Sequence, residues 1–191
     1  MVQRERLRNN IFSILICTAV ACHQPAQHTG VPVYVNADSG KWKEKGPLLF
    51  FNESLFSGCK YRLYPNGDTA SLCKYQDGKM HGWQLQWYDQ SHLKEKRYFV
   101  NGWQQGVQQG WYANGRPRFE YHFKDDVYEG NVKEWSTEGL LFKDFNYAGG
   151  QESGKQLLLN NDGSIKANYE VRNGKIYGNI GSKNCESPWK N

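Results

Sequence analysis

No apolar run in this sequence is long enough to cross a bilayer as a helix, which takes about 20 residues; the most apolar stretch, residues 11–21, falls short of that. Cys-x-x-Cys and His-x-x-x-His spacings are missing, so the usual zinc ligand sets are absent. There is no Gly-x-Ser-x-Gly elbow and no phosphate-cradling glycine loop. Basic residues are scattered and form no Lys/Arg stripe, which excludes the electrostatic footprint of a nucleic-acid binder. Proline is scarce, with 6 in 191 residues, and Ala and Leu are few. What is abundant is Gly, at 20 residues, and aromatics, at 15%. That mixture suits strands and tight turns, and its aromatic content is too high for a disordered chain.

The N-terminus reads as an export signal. Arg4, Arg6 and Arg8 precede a short apolar segment ending Ala19-Val20-Ala21-Cys22. The ending resembles a bacterial lipobox, with Cys22 as the lipidated first residue of the mature chain and Ala19 where Leu is usual. The alternatives are ordinary secretion with a chance cysteine, or a retained anchor. Removing residues 1–21 takes away three Arg and one Glu, so the net charge falls from +5 to +3. His23 after Cys22, rather than Asp, favours an outer membrane if the cell has one.

The organisation is a repeat of period 24. Gly58, Gly82, Gly106, Gly130, Gly154 and Gly178 recur at that step. So do Gly67, Ser91, Gly115, Gly139 and Gly163, and so do Gly78, Gly102, Asp126, Gly150 and Gly174. The last two columns follow Asn, Asp or other small or polar residues for the most part, and Asn-Gly and Asp-Gly are the strongest short hairpin signals. Each unit therefore has two turns joined by two strands. Phe119, Tyr121 and Phe123 alternate with Arg118, Glu120, His122 and Lys124, and Ile165, Ala167, Tyr169 and Val171 alternate with polar residues. Such alternation predicts one buried and one wet face. Trp87, Trp111 and Trp135, and Tyr75, Phe99, Phe123 and Tyr147, predict stacked aromatic ladders.

These readings predict an all-β chain, an elongated antiparallel sheet of tandem 24-residue hairpins. Residues 1–21 are the signal peptide and 22–40 the lipidated N-terminus and tether. Residues 41–57 form a capping half-repeat, 58–177 five repeats, and 178–191 a C-terminal cap or tail. The motif Asn/Asp-Gly-x-x-x-Gly stands at Asp77–Gly82, Asn101–Gly106 and Asn173–Gly178, with Trp111-Tyr112-Ala113-Asn114-Gly115 and its equivalents between. Over residues 53–178 this resembles the MORN-repeat variant of bacterial proteins often labelled YwqK-family antitoxins. The resemblance implies a twisted antiparallel β-structure used as an interaction surface. The MORN name implies membrane recognition, and the label toxin neutralisation.

Few residues carry candidate chemistry. Cys59 and Cys73 flank the Asn66-Gly67 turn and, both odd-numbered, are expected on one apolar face with Tyr61, Leu63 and Tyr75. They form either a disulfide in an oxidising compartment or two small buried thiols, and Cys185 is a third candidate for pairing. His23 and His28 lie in the tether, and His81, His92 and His122 are expected to be solvated; no metal site is expected. Scattered carboxylates show no acid–base pairing, so no catalytic residue is assigned. The Trp87 column reads as structural, and the exposed candidates for binding are Trp83, Trp103 and Tyr128. The expectation is a lipid-anchored, non-catalytic envelope protein that binds protein partners through its sheet. It touches the membrane through its anchor, needs no cofactor and binds no nucleic acid. A cell-wall or glycan-acting enzyme or binder, direct lipid binding and an antitoxin-like neutralising protein are the alternatives.

Overall fold

The computed structural model describes residues 32–89 and 92–181. The signal segment, Cys22, His23, His28, Gln90, Ser91, Cys185 and Trp189 lie outside them, so the expectations resting on these are not addressed by the fold. The described residues are all β. Five hairpins follow one another. They are β5–β6 (Gly58–Leu63, Thr69–Gln76), β7–β8 (Lys79–Trp87, Leu93–Val100), β9/β10–β11 (Trp103–Gln104, Gly106–Trp111, Pro117–Lys124), β12–β13 (Val127–Trp135, Leu141–Ala148) and β14/β15–β16 (Gln151–Glu152, Gly154–Leu159, Ile165–Arg172). They join side by side in chain order into one sheet that ends at β17 (Lys175–Asn179).

Two turn chemistries set the period. On one edge, Asp77 and Gly78 have φ of 49° and 78°, and Asn101 and Gly102 have 52° and 91°. Both central residues are left-handed, as a two-residue hairpin turn requires. Asp125-Asp126 keeps this geometry without glycine, at 51° and 65°. The Asp126 carboxylate accepts the Gln104 N–H at 2.5 Å, which offsets part of that strain. On the other edge the turn closes as Tyr64 N–H to Asp68 O at 2.8 Å and Gly67 N–H to Tyr64 O at 2.9 Å. The Asn66 side-chain oxygen accepts the Asp68 N–H at 3.0 Å, the Asx-turn geometry that favours Asn here.

Each hairpin also carries a register slip beside this second turn. Leu63 opposes Thr69, but Arg62 opposes Ser71, and the slip recurs at Trp87, Trp111, Trp135 and Leu159. One extra residue reverses parity, because side chains alternate with period two. Beyond the slip, directly opposed residues share a face. One face collects Phe99, Gln108, Phe119, Val132, Gln156, Ala167 and Val171, all buried; we call it the packed face. On it the repeating glycines oppose rings, as Gly82 opposes Phe99, Gly106 Phe123 and Gly130 Tyr147. Tyr128 fills the gap between Phe123 and Tyr147, with centroids 4.6 and 5.0 Å away. Such ring pairs each contribute about 0.5–1.5 kcal/mol beyond burial. Ile165, expected inside, is 58% exposed, since the slip between Leu158 and Leu159 leaves it beyond the regular alternation.

The N-terminal flank departs from expectation. Within the segment expected to be a tether, β1 (Tyr34–Asn36) pairs in parallel with β5. The chain is apolar and β-branched there, at Val33-Tyr34-Val35, and occupies what would be the open edge of the first hairpin. The flank expected as a capping half-repeat is a three-stranded sheet of its own, β2 (Trp42–Lys45), β3 (Leu48–Phe51) and β4 (Ser54–Leu55). Its left-handed pair is Asn52-Glu53, one residue earlier than the 24-residue register demands. The Leu49 N–H donates to Gly78 O and the Gly78 N–H to Phe56 O, both at 2.8 Å, and Trp42, Phe51, Phe56 and Tyr75 form a ring cluster.

Candidate functional surface

Most polar side chains near the turns join one repeat to the next. The Tyr64, Tyr88 and Tyr112 hydroxyls donate to the carbonyls of Trp87, Trp111 and Trp135 at 2.7, 3.1 and 2.7 Å. The Asn66 and Asn114 amides donate to Asp89 O and Thr137 O, both at 3.2 Å. On the opposite edge, Ser57 bonds Asp77, His81 bonds Asn101, Gln105 bonds Asp125, and Glu129 accepts the Gly149 N–H. His81, expected to be a solvated histidine, therefore links two repeats. The predicted turn glycines sit in these two edges, with Gly67, Gly115, Gly139 and Gly163 on one and Gly78, Gly102, Gly150 and Gly174 on the other, all at positive φ.

Gln108 and Gln156, unremarked in the sequence, are fully buried. The Gln108 carbonyl accepts the Tyr98 N–H at 2.8 Å, and its amide donates to Tyr98 O and Gln105 O, both at 3.1 Å. Gln156 treats Asn146 the same way, at 3.0 and 2.8 Å. Each side chain stands in for a main-chain partner where the strand kinks. The signal in the sequence is the column Gln84, Gln108, Val132 and Gln156, in which glutamine recurs at the repeat length and only Val132 interrupts it.

The charged groups of the packed face form pairs. Glu95 binds Arg97 at 3.0 Å and Arg118 at 2.5 Å, and both guanidiniums lie against the Phe119 ring. Lys143 binds Glu134 at 2.9 Å. Burial, with Glu134 adjacent, pushes the Tyr121 phenol well above its usual range. Among the described residues, no three His, Cys, Asp or Glu side chains gather as a metal site would require. One surface depression, lined by Tyr64, Pro65, Asn66, Tyr88 and Asp89, is an open notch between successive turns.

The two cysteines do not meet as expected. Cys59 opposes Lys74, and Cys73 opposes Lys60. The register slip at Leu63 places the thiols on opposite faces of the hairpin, and both are free. Burial pushes Cys73 up to about 11 and raises Cys59 as well, which keeps both as unreactive thiols at neutral pH.

On the other face, which we call the open face, several large apolar side chains remain accessible. Trp83 is 44% exposed and packs edge-on against Tyr98 at 4.9 Å. Lys96 Nζ lies 4.3 Å from the indole centroid. Leu85 opposes Lys96, Leu72 opposes Leu85, and Val107 opposes His122. Trp103, 54% exposed, stands just after its turn at the sheet margin. Tyr128, the third expected binding aromatic, is instead half-buried in the ladder. Of the three, the structure leaves two accessible, and it does not bring them together. No protein-family model and no curated protein matches the chain.

Proposed function

We propose that this protein is a non-catalytic recognition scaffold of the MORN-like hairpin-repeat type, held in the cell envelope by a lipid on Cys22 and presenting its sheet to protein partners. The observation that carries the reading is a division of labour. Polar side chains along both edges are engaged in holding successive repeats together, while the open face keeps accessible apolar groups such as Trp83 and Val107. A repeat sheet of this kind offers an extended surface whose side chains are free to vary. Isolated apolar exposure is ordinary, but apolar residues adjacent in register form a patch suited to binding.

The test has two parts. Acyl labelling and membrane fractionation of the full chain beside Cys22→Ala should give label and membrane association only with Cys22. Proteins cross-linked to the full chain in the envelope should be lost when several open-face residues are replaced together, and retained when Glu120, Asp144 or Glu170 is changed singly. A single carboxylate substitution that abolished function in a folded chain would instead favour an enzyme acting on cell-wall polymers or glycans.

A further inference from the structure

We propose that the N-terminal half of the open face is a docking site for an acidic peptide segment of a partner protein, one that carries apolar side chains between its carboxylates. This rests on the recognition-scaffold reading above and narrows it to one surface and one partner chemistry.

Register assembles the site. Along one row the strands present Cys59, Lys74, Trp83, Tyr98 and Val107, and along the next Tyr61, Leu72, Leu85, Lys96 and Gln109. The indole of Trp83 thus has the Lys96 ammonium over its ring at 4.3 Å, and Lys74 stands on the neighbouring strand, at the register shift between Cys73 and Tyr75 beside Gly82. Neither row contains a carboxylate up to Gln109. The first that follows, Glu120, is engaged on both oxygens, by the Gln109 amide at 3.0 Å and by His122 at 3.4 Å. Several other cations of the sheet are paired, as Arg62 with Asp38, Lys60 with Glu44, Arg118 with Glu95, Lys143 with Glu134 and Arg172 with Glu170. Lys74 and Lys96 have no carboxylate partner among the described residues.

The chemistry selects the occupant. Unmatched ammonium groups beside accessible Trp83 and Val107, and half-buried Leu72 and Leu85, complement a chain that alternates anionic and apolar groups. A sugar ring stacked on Trp83 would need an open indole face, and Lys96 covers one of them. An extended peptide suits the spacing, because its own side chains alternate as those of the sheet do.

Fluorescence anisotropy with the full chain tests this. The probes are a short dye-labelled peptide alternating Asp with Leu and Phe, and the same peptide with Lys in place of Asp. Phosphatidylglycerol vesicles serve as a separate probe. The acidic peptide should bind, more weakly as salt rises, and the basic one should not. Lys74→Glu with Lys96→Glu should reduce affinity at least about tenfold, with circular dichroism unchanged; Lys74→Ala with Lys96→Ala gives a milder loss if the reversal perturbs folding. Equal binding by the lysine variants overturns this site while leaving the scaffold reading intact. Binding of neither peptide, or of vesicles alone, overturns the acidic-peptide assignment. Loss of cross-linked partners through substitutions elsewhere on the sheet would leave the scaffold standing without this site.

Discussion

Replacing Gln108 with Leu should destabilise the protein by about 2–3 kcal/mol. The side chain is fully buried and makes three hydrogen bonds to main chain. Leucine fills a similar volume, so a cavity contributes little. The loss comes from polar groups left behind. The Tyr98 carbonyl keeps the Gln105 N–H at 3.0 Å, but the Tyr98 N–H loses the side chain that accepts it. An orphaned buried donor costs about 1–3 kcal/mol, and each lost bond a further fraction of that. Urea denaturation gives the free energy, and hydrogen exchange at the Tyr98 amide locates it. A loss below about 1 kcal/mol, or a Tyr98 amide protected as in wild type, would refute the reasoning. Either result would mean that β9 and β10 re-pair along the main chain, as the unbroken β12 does around Val132 in the same column. Gln109→Leu, one residue along and half-buried, should cost no more than about 1 kcal/mol.

Tyr112→Phe removes one hydroxyl bond between repeats and should cost about 0.5–1.5 kcal/mol in the same urea assay. Gly110→Ala should cost more than Gly115→Ala. A Cβ at Gly110 would lie 2.2 Å from the buried Phe119 ring, whereas at Gly115 there is open space and only the strain of φ +81°, about 1–2 kcal/mol. Gly115→Asn should recover much of that strain. Cys73 favours its neutral form when folded, because burial raises its thiol to about 11 from an ordinary value of 9.0. The folded state then binds more protons than the unfolded one between these values. Thermal stability should therefore hold up to about pH 9 and fall as pH rises toward 11, with Cys73→Ser flattening the decline. Hydrogen exchange should be faster in β15–β17 than in β7–β12. Ser136 and Asn160 stand where Tyr64, Tyr88 and Tyr112 bridge the earlier repeats, and equal protection along the sheet would contradict that.

What the sequence made legible follows from backbone chemistry. Asn-Gly and Asp-Gly pairs name a left-handed turn wherever they stand, so both edges and the period could be placed by residue number, and even Asp125-Asp126 kept the turn its glycine-bearing relatives define. Face assignment failed where it assumed unbroken alternation. Cys59 and Cys73 are both odd, yet a single slipped residue at Leu63 sends them to opposite sides, and the same slip leaves Ile165 in solvent. Gln108 was hidden for a different reason. A glutamine in an alternating strand reads as a wet-face residue, and nothing local tells that its amide will substitute for a missing strand bond. The docking patch is hidden similarly, because Lys74, Trp83 and Lys96 come together only through cross-strand register. Trp83 and Trp103 carry the same signal in sequence and differ only in what the sheet sets beside them.

That difference bears on how such a sheet acquires a partner. With the edges tied by tyrosine, asparagine and serine, and one face filled by rings and the Gln108 and Gln156 amides, substitution on the open face is weakly coupled to folding. Surface changes of that kind generally shift stability by no more than about 0.5 kcal/mol. A column that is Lys74 in one hairpin can be Tyr98, His122 and Asn146 in the next without disturbing the ladder. The column Gly82, Gly106, Gly130 and Gly154 has no such freedom, since its backbone stands at φ of 105°, 68°, 100° and 76°, where a side chain is strained even where there is space for it. Variation concentrated in the first set and constancy in the second is what a recognition surface built on a fixed repeat requires. An alanine scan scoring stability separately from peptide binding would separate the two columns, and equal stability losses in both would deny the open face that freedom.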